Sequence, residues 1–144
     1  MRISVINGPN LNLLGRREPE LYGAKTYADL VRFIKQAAEA LEIEAMVFQS
    51  NHEGAIVDAI QEAYQNYDGI VINAAAYTHT SVAILDALKA VGLPAVEVHL
   101  TDISTREDFR RTSYPGMFCF ASVMGQGFSG YQKALELLYE HLNS

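Results

Sequence analysis

The sequence predicts an α/β domain in which helices cover both faces of one parallel sheet. Short β-branched runs alternate with longer stretches of helical period, the order expected of successive βαβ units. Runs such as Ile70-Val71-Ile72 are apolar at consecutive positions, as in parallel strands buried on both sides. With 144 residues and no repeat, linker or low-complexity segment, residues 1–144 read as one domain. That length buries a core without staples.

The first strand is predicted over residues 3–6 and is stopped by Asn7-Gly8-Pro9. Thr26 is the candidate cap of a helix whose Leu30, Phe33, Ile34, Ala37, Ala38 and Leu41 form one apolar stripe. Residues 44–48 are the second strand, 55–64 a helix, and 69–73 the third strand. A helix over 81–91 ends at Gly92 and Pro94. Residues 95–98 are the fourth strand, 118–123 a weaker fifth, and 129–142 a last helix carrying Ala134, Leu135, Leu138 and Leu142. Right-handed crossovers and about five strands make a flavodoxin-like sheet, order 2-1-3-4-5, the expected topology. Residues 8–25 and 100–117 are long for connections in such a fold. Long loops on a compact scaffold are commonly functional.

Composition narrows the function classes. The 17 acidic and 11 basic side chains leave a net charge of −6, which argues against nonspecific binding to nucleic acid or to an anionic membrane. A single cysteine excludes a disulfide framework, and no Cys/His spacing suggests a zinc site. No apolar run approaches the roughly 20 residues of a membrane span. The N-terminus opens directly on a strand, without the apolar core of a signal peptide. A soluble, cytoplasmic protein is expected.

In an open parallel sheet, ligands bind beyond the C-terminal strand ends, where strand order reverses. The residues predicted there are Asn7 and Asn10 after strand one, Ser50-Asn51 after strand two, and Asn73 leading to Tyr77, Thr78 and His79. Strand four carries Glu97 and runs into His99-Leu100-Thr101. Amides, hydroxyls and imidazoles crowd this edge while carboxylates are scarce, which suits a polyhydroxylated substrate better than a metal. Five of the seven arginines lie in the two long loops: Arg16, Arg17, Arg106, Arg110 and Arg111. In an acidic chain that concentration suggests an anion site, although any one of them also has Glu18, Glu20, Glu107 or Asp108 as a surface partner.

These residues resemble a known family. The string from Asn7 through Asn10, Leu11, Asn12 and Leu14 to Gly15, with Arg17-Glu18-Pro19 and Tyr22-Gly23, is similar to the first loop of type II 3-dehydroquinate dehydratases. Gln49-Ser50-Asn51 with Glu53-Gly54, Ala76 through Ser81, Glu97-Val98-His99-Leu100, Arg106-Glu107 with Phe109-Arg110, and Gly130-Tyr131 continue the likeness along almost the whole chain. The resemblance implies a flavodoxin-like fold, a dodecamer built as a tetramer of trimers, no metal and no organic cofactor. It implies loss of water from 3-dehydroquinate to give 3-dehydroshikimate, a shikimate-pathway step also used in quinate breakdown.

Site roles follow by the same resemblance. Tyr22 is the implied base for the C2 proton, with Arg17 activating it and Arg106 nearby. His99 is the implied acid for the departing C1 hydroxyl, with Glu97 orienting it. Asn10 holds a water facing the enolate oxygen. Asn73, Leu100 and Thr101 bind the substrate carboxylate, the latter two through backbone N–H, and His79, Asp86 and Arg110 bind ring hydroxyls. Ala74, Thr101-Asp102 and Ser104 depart from the family's usual residues. Thr101 keeps a hydroxyl and an N–H, whereas Asp102 and Ser104 are expected to alter the loop's packing.

The chemistry suits these side chains. A free Tyr, of pKa about 10, is phenolate only about once in a thousand at pH 7, and nearby guanidiniums favour the charged form. A shift of two units requires about 2.7 kcal/mol. Hydroxide leaves poorly, so a protonated donor is needed, and in an extended strand Glu97 and His99 share a face. The four lysines, Lys25, Lys35, Lys89 and Lys133, lie outside the motif set, which argues against an imine route. Cys119, between Phe118 and Phe120, reads as an apolar thiol. His52, His141, Tyr64, Tyr67 and Tyr139 read as bland.

Two rivals stand beside this. A flavodoxin-like small-molecule binding module would hold FMN or act as a phosphoacceptor, but Pro9, Leu11, Leu13 and Leu14 interrupt a phosphate loop, and Asn7 and Asn73 stand where a receiver needs acids. A noncatalytic assembly subunit would use its arginine-rich loops only as interfaces and would tolerate Tyr22→Phe.

Overall fold

The computed structural model describes residues 1–16 and 25–144. Its sheet is all parallel with strand order β2-β1-β3-β4-β5, the order expected. The strands are β1 (Arg2–Asn7), β2 (Glu44–Gln49), β3 (Gly69–Asn73), β4 (Ala95–His99) and β5 (Ala121–Met124). The helices are α1 (Tyr27–Ala40), α2 (Glu53–Asn66), α3 (Val82–Val91) and α4 (Ser129–Leu142).

Strand alternation sorts the core into two layers. Ile3, Val5, Val71, Val96 and Val98 face α1 and α4, meeting Leu30, Ile34, Tyr131, Leu135 and Leu138. Ile6, Ile70, Ile72 and Ala95 point the other way, onto Ile56 and Ile60 of α2 and Ile84 and Leu88 of α3. The central strands therefore read as unbroken apolar runs.

The helix ends follow their local chemistry. Thr26 forms a capping box: its hydroxyl accepts from Asp29 N–H at 3.2 Å, and the Asp29 carboxylate accepts from Thr26 N–H at 2.9 Å. Ser81 caps α3 through the Ile84 N–H at 3.0 Å, and Gly92 ends that helix at φ 73°. Helix α2 begins two residues before its predicted start, with the His52 N–H held by Ser50 Oγ at 3.0 Å.

The fifth strand is shorter than expected and starts later. Residues Pro115–Met117 form a 3-10 turn, and both Phe118 and Cys119 donate back to the Pro115 carbonyl at 3.0 and 3.1 Å. The chain is still turning at Cys119 and becomes ladder only from Ala121, opposite Val96. The second long loop is folded: Ile103–Thr105, Asp108–Arg110 and Pro115–Met117 are short 3-10 segments.

The reversal of strand order falls between β1 and β3, whose last residues, Asn7 and Asn73, pair in register. Beyond them the backbones nearly touch, with Gly8 N–H donating to the Asn73 carbonyl at 2.8 Å. A Cβ on Gly8 would lie 2.4 Å from the Ala74 carbonyl oxygen, so the first loop needs glycine there.

Candidate active site

A cavity of about 210 Å³ opens over this reversal point. Asn10, Asn73, His79, His99, Leu100, Thr101, Arg106 and Arg110 line it, together with Ala75 and Ile103. Eight residues that the sequence assigned to the site thus meet at one place, drawn from the ends of β3 and β4, the turn after β3 and both long loops. Tyr22 and Arg17 lie outside the described residues. Asp86 does not join the group: it sits on the exposed face of α3, away from the lining of this chain's cavity.

His99 and Glu97 form the buried heart of the site, 5% and 1% exposed. His99 Nε2 lies 2.8 Å from Glu97 Oε2 but off the ring N–H axis, so the contact is a close electrostatic approach and not a linear hydrogen bond. Ser122 donates to Glu97 Oε1 at 2.7 Å, and the Ser113 hydroxyl donates to Oε2. Burial alone would raise the Glu97 carboxyl; the imidazole and the two hydroxyls outweigh it and hold the group below the usual carboxylate range. Glu97 is therefore an anion facing a ring that can carry positive charge. Its contact occupies Nε2 and leaves Nδ1 as the other ring nitrogen.

The second histidine is oriented by backbone. His79 Nδ1 is 2.8 Å from the Thr112 carbonyl. A carbonyl only accepts, so Nδ1 carries the proton and Nε2 remains for the cavity.

Beneath the floor lies a buried amide network. Asn73 donates from Nδ2 to the Tyr131 hydroxyl at 2.9 Å, and its Oδ1 accepts from Ala75 N–H at 3.1 Å. Tyr131 donates in turn to Asn7 Oδ1 at 2.6 Å. Burial drives the fully enclosed Tyr131 hydroxyl far above its ordinary pKa, so it stays protonated. Ala75, at φ 51°, is held in a left-handed conformation at the cavity wall.

The first loop is tied down by Asn51, whose Oδ1 accepts from Asn10 N–H at 3.0 Å and from Gln49 Nε2 at 3.1 Å. On the other side Arg106 and Arg110 flank Glu107, at 3.7 and 3.1 Å. They thus line the cavity while sharing one exposed carboxylate. Arg111 pairs with Asp108 at 3.3 Å outside the cavity lining, as the surface-pair alternative had it. The two departures at Asp102 and Ser104 answer one another. Asp102 Oδ1 accepts from Ser104 N–H at 2.9 Å and from its hydroxyl at 2.6 Å, capping the turn Ile103–Thr105.

Ser113, Ser122, Gly116, Thr112 and Tyr131 were not among the residues assigned a role from the sequence. Ser122 is legible only from register, since it sits opposite Glu97 across the β4–β5 ladder. Ser113 reaches Glu97 from sixteen positions along a folded loop, and no local spacing marks that. Among the described residues, no group of three or more His, Cys, Asp or Glu is placed to hold a metal, and no helix is long and apolar enough to cross a membrane.

A parallel α/β scaffold that presents a carboxylate–imidazole pair, an oriented second imidazole and two arginines to one cavity defines an enzyme of small-molecule acid–base chemistry. The family model described as dehydroquinase class II matches residues 1–139. A 3-dehydroquinate dehydratase of Dinoroseobacter shibae is 49% identical over 144 residues, covering 100% of this chain and 96% of that protein. A catabolic 3-dehydroquinase of Verticillium alfalfae is 52% identical over 141 residues, 98% of this chain and 94% of the relative. The crystal structure of a type II dehydroquinase from Butyrivibrio crossotus superposes with a TM-score of 0.94 at 49% identity, covering 100% and 98% of the two chains. The chain belongs to the dehydroquinase class II family and is, with it, a hydro-lyase.

Proposed function

We propose that this chain removes water from 3-dehydroquinate to give 3-dehydroshikimate, with His99 as the proton donor. The observation that carries the proposal is the buried anionic Glu97 against His99 at the floor of a cavity rimmed by Arg106 and Arg110.

In this reading Tyr22, as phenolate, takes the C2 proton, and the C2–H electrons move into an enolate. Arg17 and Arg106 favour the phenolate by charge. The enolate oxygen is met by a water held on Asn10. Collapse of the enolate breaks the C1–O bond as His99 delivers its proton, so that water leaves and the conjugated enone remains. Glu97 stabilises the imidazolium before the transfer. Proton exchange with solvent restores Tyr22 and His99.

Substrate binding divides along the cavity. Asn73 has one Nδ2–H beyond that given to Tyr131, and an N–H donor suits a carboxylate. The Leu100 and Thr101 N–H groups are assigned to the same carboxylate. Their turn is braced from behind, because the His99 and Leu100 carbonyls accept from Gly125 and Gly127 at 3.3 and 3.1 Å. His79 and Arg110 take ring hydroxyls. Asp86, exposed on α3 and away from this cavity, would reach substrate only from a neighbouring copy. That fits the dodecamer, a tetramer of trimers, which we propose together with a cytoplasmic location and a shikimate-pathway role.

The direct test is ultraviolet absorbance after mixing the purified protein with 3-dehydroquinate. The enone band is expected to grow at an enzymatic rate and to survive chelator and borohydride. His99→Ala and Tyr22→Phe are each expected to lower kcat by about a hundredfold or more while the fold is kept. Near wild-type turnover in either variant removes that residue's role, and no band with the wild type overturns the reaction.

A further inference from the structure

We infer that Ser113 is a positioning residue for the Glu97–His99 pair, acting through the carboxylate oxygen that faces the imidazole. The inference rests on the reading of His99 as proton donor. The two oxygens of Glu97 have different partners. Oε1 takes the Ser122 hydroxyl at 2.7 Å. Oε2 takes the Ser113 hydroxyl and is the oxygen 2.8 Å from His99 Nε2.

The Ser113 proton has a defined direction. Its Oγ accepts the Gly116 N–H at 3.0 Å, and its one proton goes to Glu97. Gly116 lets the loop lie directly on the carboxylate, because a Cβ there would be 2.8 Å from Glu97 Oε1 and 2.9 Å from Ser113 Oγ. The same short stretch braces the other histidine, through the Thr112 carbonyl on His79 Nδ1 at 2.8 Å and Tyr114 N–H on the Thr78 carbonyl at 2.9 Å. Residues 112–116 therefore form a strap behind both cavity imidazoles without lining the cavity themselves.

A buried carboxylate needs donors wherever it occurs, and that need alone accounts for Ser122. Ser113 differs because it shares an oxygen with His99. The ring N–H does not point along its contact with Oε2, so the imidazole does not itself fix where that oxygen sits. Without Ser113 the carboxylate is pinned at Oε1 only, and its plane turns about the Cγ–Cδ bond. The loss then falls on proton delivery and spares substrate binding.

The test compares wild type, Ser113→Ala, Ser113→Thr and Ser113→Cys by steady-state kinetics and by 15N NMR of the His99 ring nitrogens. Ser113→Ala and Ser113→Cys are expected to lower kcat about tenfold, the worth of one charge-assisted hydrogen bond. KM is expected to stay within about twofold. The His99 ring signals move in both variants, and Ser113→Thr, which keeps the hydroxyl, restores rate and signals together. Unchanged kcat, a change confined to KM, or unmoved His99 signals overturns the inference. If Ser113→Ala does not fold, the near-isosteric Ser113→Cys decides by the same criteria. Should the wild type fail to dehydrate 3-dehydroquinate, the proposed reaction fails, and the NMR arm alone decides the positioning role.

Discussion

The Tyr131 hydroxyl accepts the Asn73 Nδ2–H at 2.9 Å while giving its own proton to Asn7 at 2.6 Å. The direction of the first bond sets the amide of Asn73: its oxygen turns to Ala75 N–H, and a nitrogen donor is left at the cavity. A tyrosine on the last helix thereby decides whether the site offers a donor or an acceptor to an anion.

Tyr131→Phe keeps the ring but leaves two buried amide groups short of a partner. Stability is expected to fall by about 1–3 kcal/mol for each orphaned group. If Asn73 binds the substrate carboxylate as proposed, KM is expected to rise, because its amide is then free to turn the carbonyl toward that anion. Urea denaturation and initial rates check this. An unchanged KM would show that Ala75 alone orients the amide.

Glu97 makes stability depend on acid. Its folded pKa lies below the ordinary 4.5, so its contribution is present above the unfolded value and is lost as pH falls through the lowered folded value. Glu97→Gln is expected to flatten the fall in the urea midpoint below about pH 4.5. Parallel curves for the two proteins would mean that the Glu97 carboxylate adds nothing to the folded state.

Cys119 is partly buried, and burial, with the Glu97 charge behind it, pushes its thiol up to about 12. Only the thiolate attacks disulfide reagents. At pH 8 the native protein is expected to react with a chromogenic disulfide at least about a hundredfold more slowly than the urea-unfolded chain. Equal rates would place the thiol in an open, polar setting.

Gly8→Ala brings a Cβ to within 2.4 Å of the Ala74 carbonyl oxygen, a backbone atom that cannot rotate away. A loss of at least about 2 kcal/mol is expected. Chemical denaturation measures it, and an unmoved midpoint would mean that the turns after β1 and β3 separate without cost.

The strand order and helix stripes were legible because periodicity is a local property. Ile70-Val71-Ile72 announced a strand covered on both faces, and Thr26 announced the start of α1, while the return bond from Asp29 shows only in the structure. The fifth strand was misplaced because Phe118 and Cys119 look like strand, while their N–H groups turn back to Pro115. Asn10, Asn73, His79 and His99, read as lying beyond β1, β3 and β4, line one cavity because parallel topology sends strand ends to one edge.

What the sequence determined by itself, then, is the set of chemical groups and the edge of the sheet to which they are delivered. The period of each segment chooses its element, and the order of elements chooses the topology. Tertiary structure alone decided how those groups are aimed. Ser122 meets Glu97 through ladder register, Ser113 through a loop folded back over sixteen positions, and Tyr131 meets Asn7 and Asn73 across the core. Asp86, on an exposed helix face, is left outside the cavity that the same chain builds. Hydrogen-bond direction depends on ångström-scale placement of groups far apart in the chain, and no local pattern of residue types encodes it.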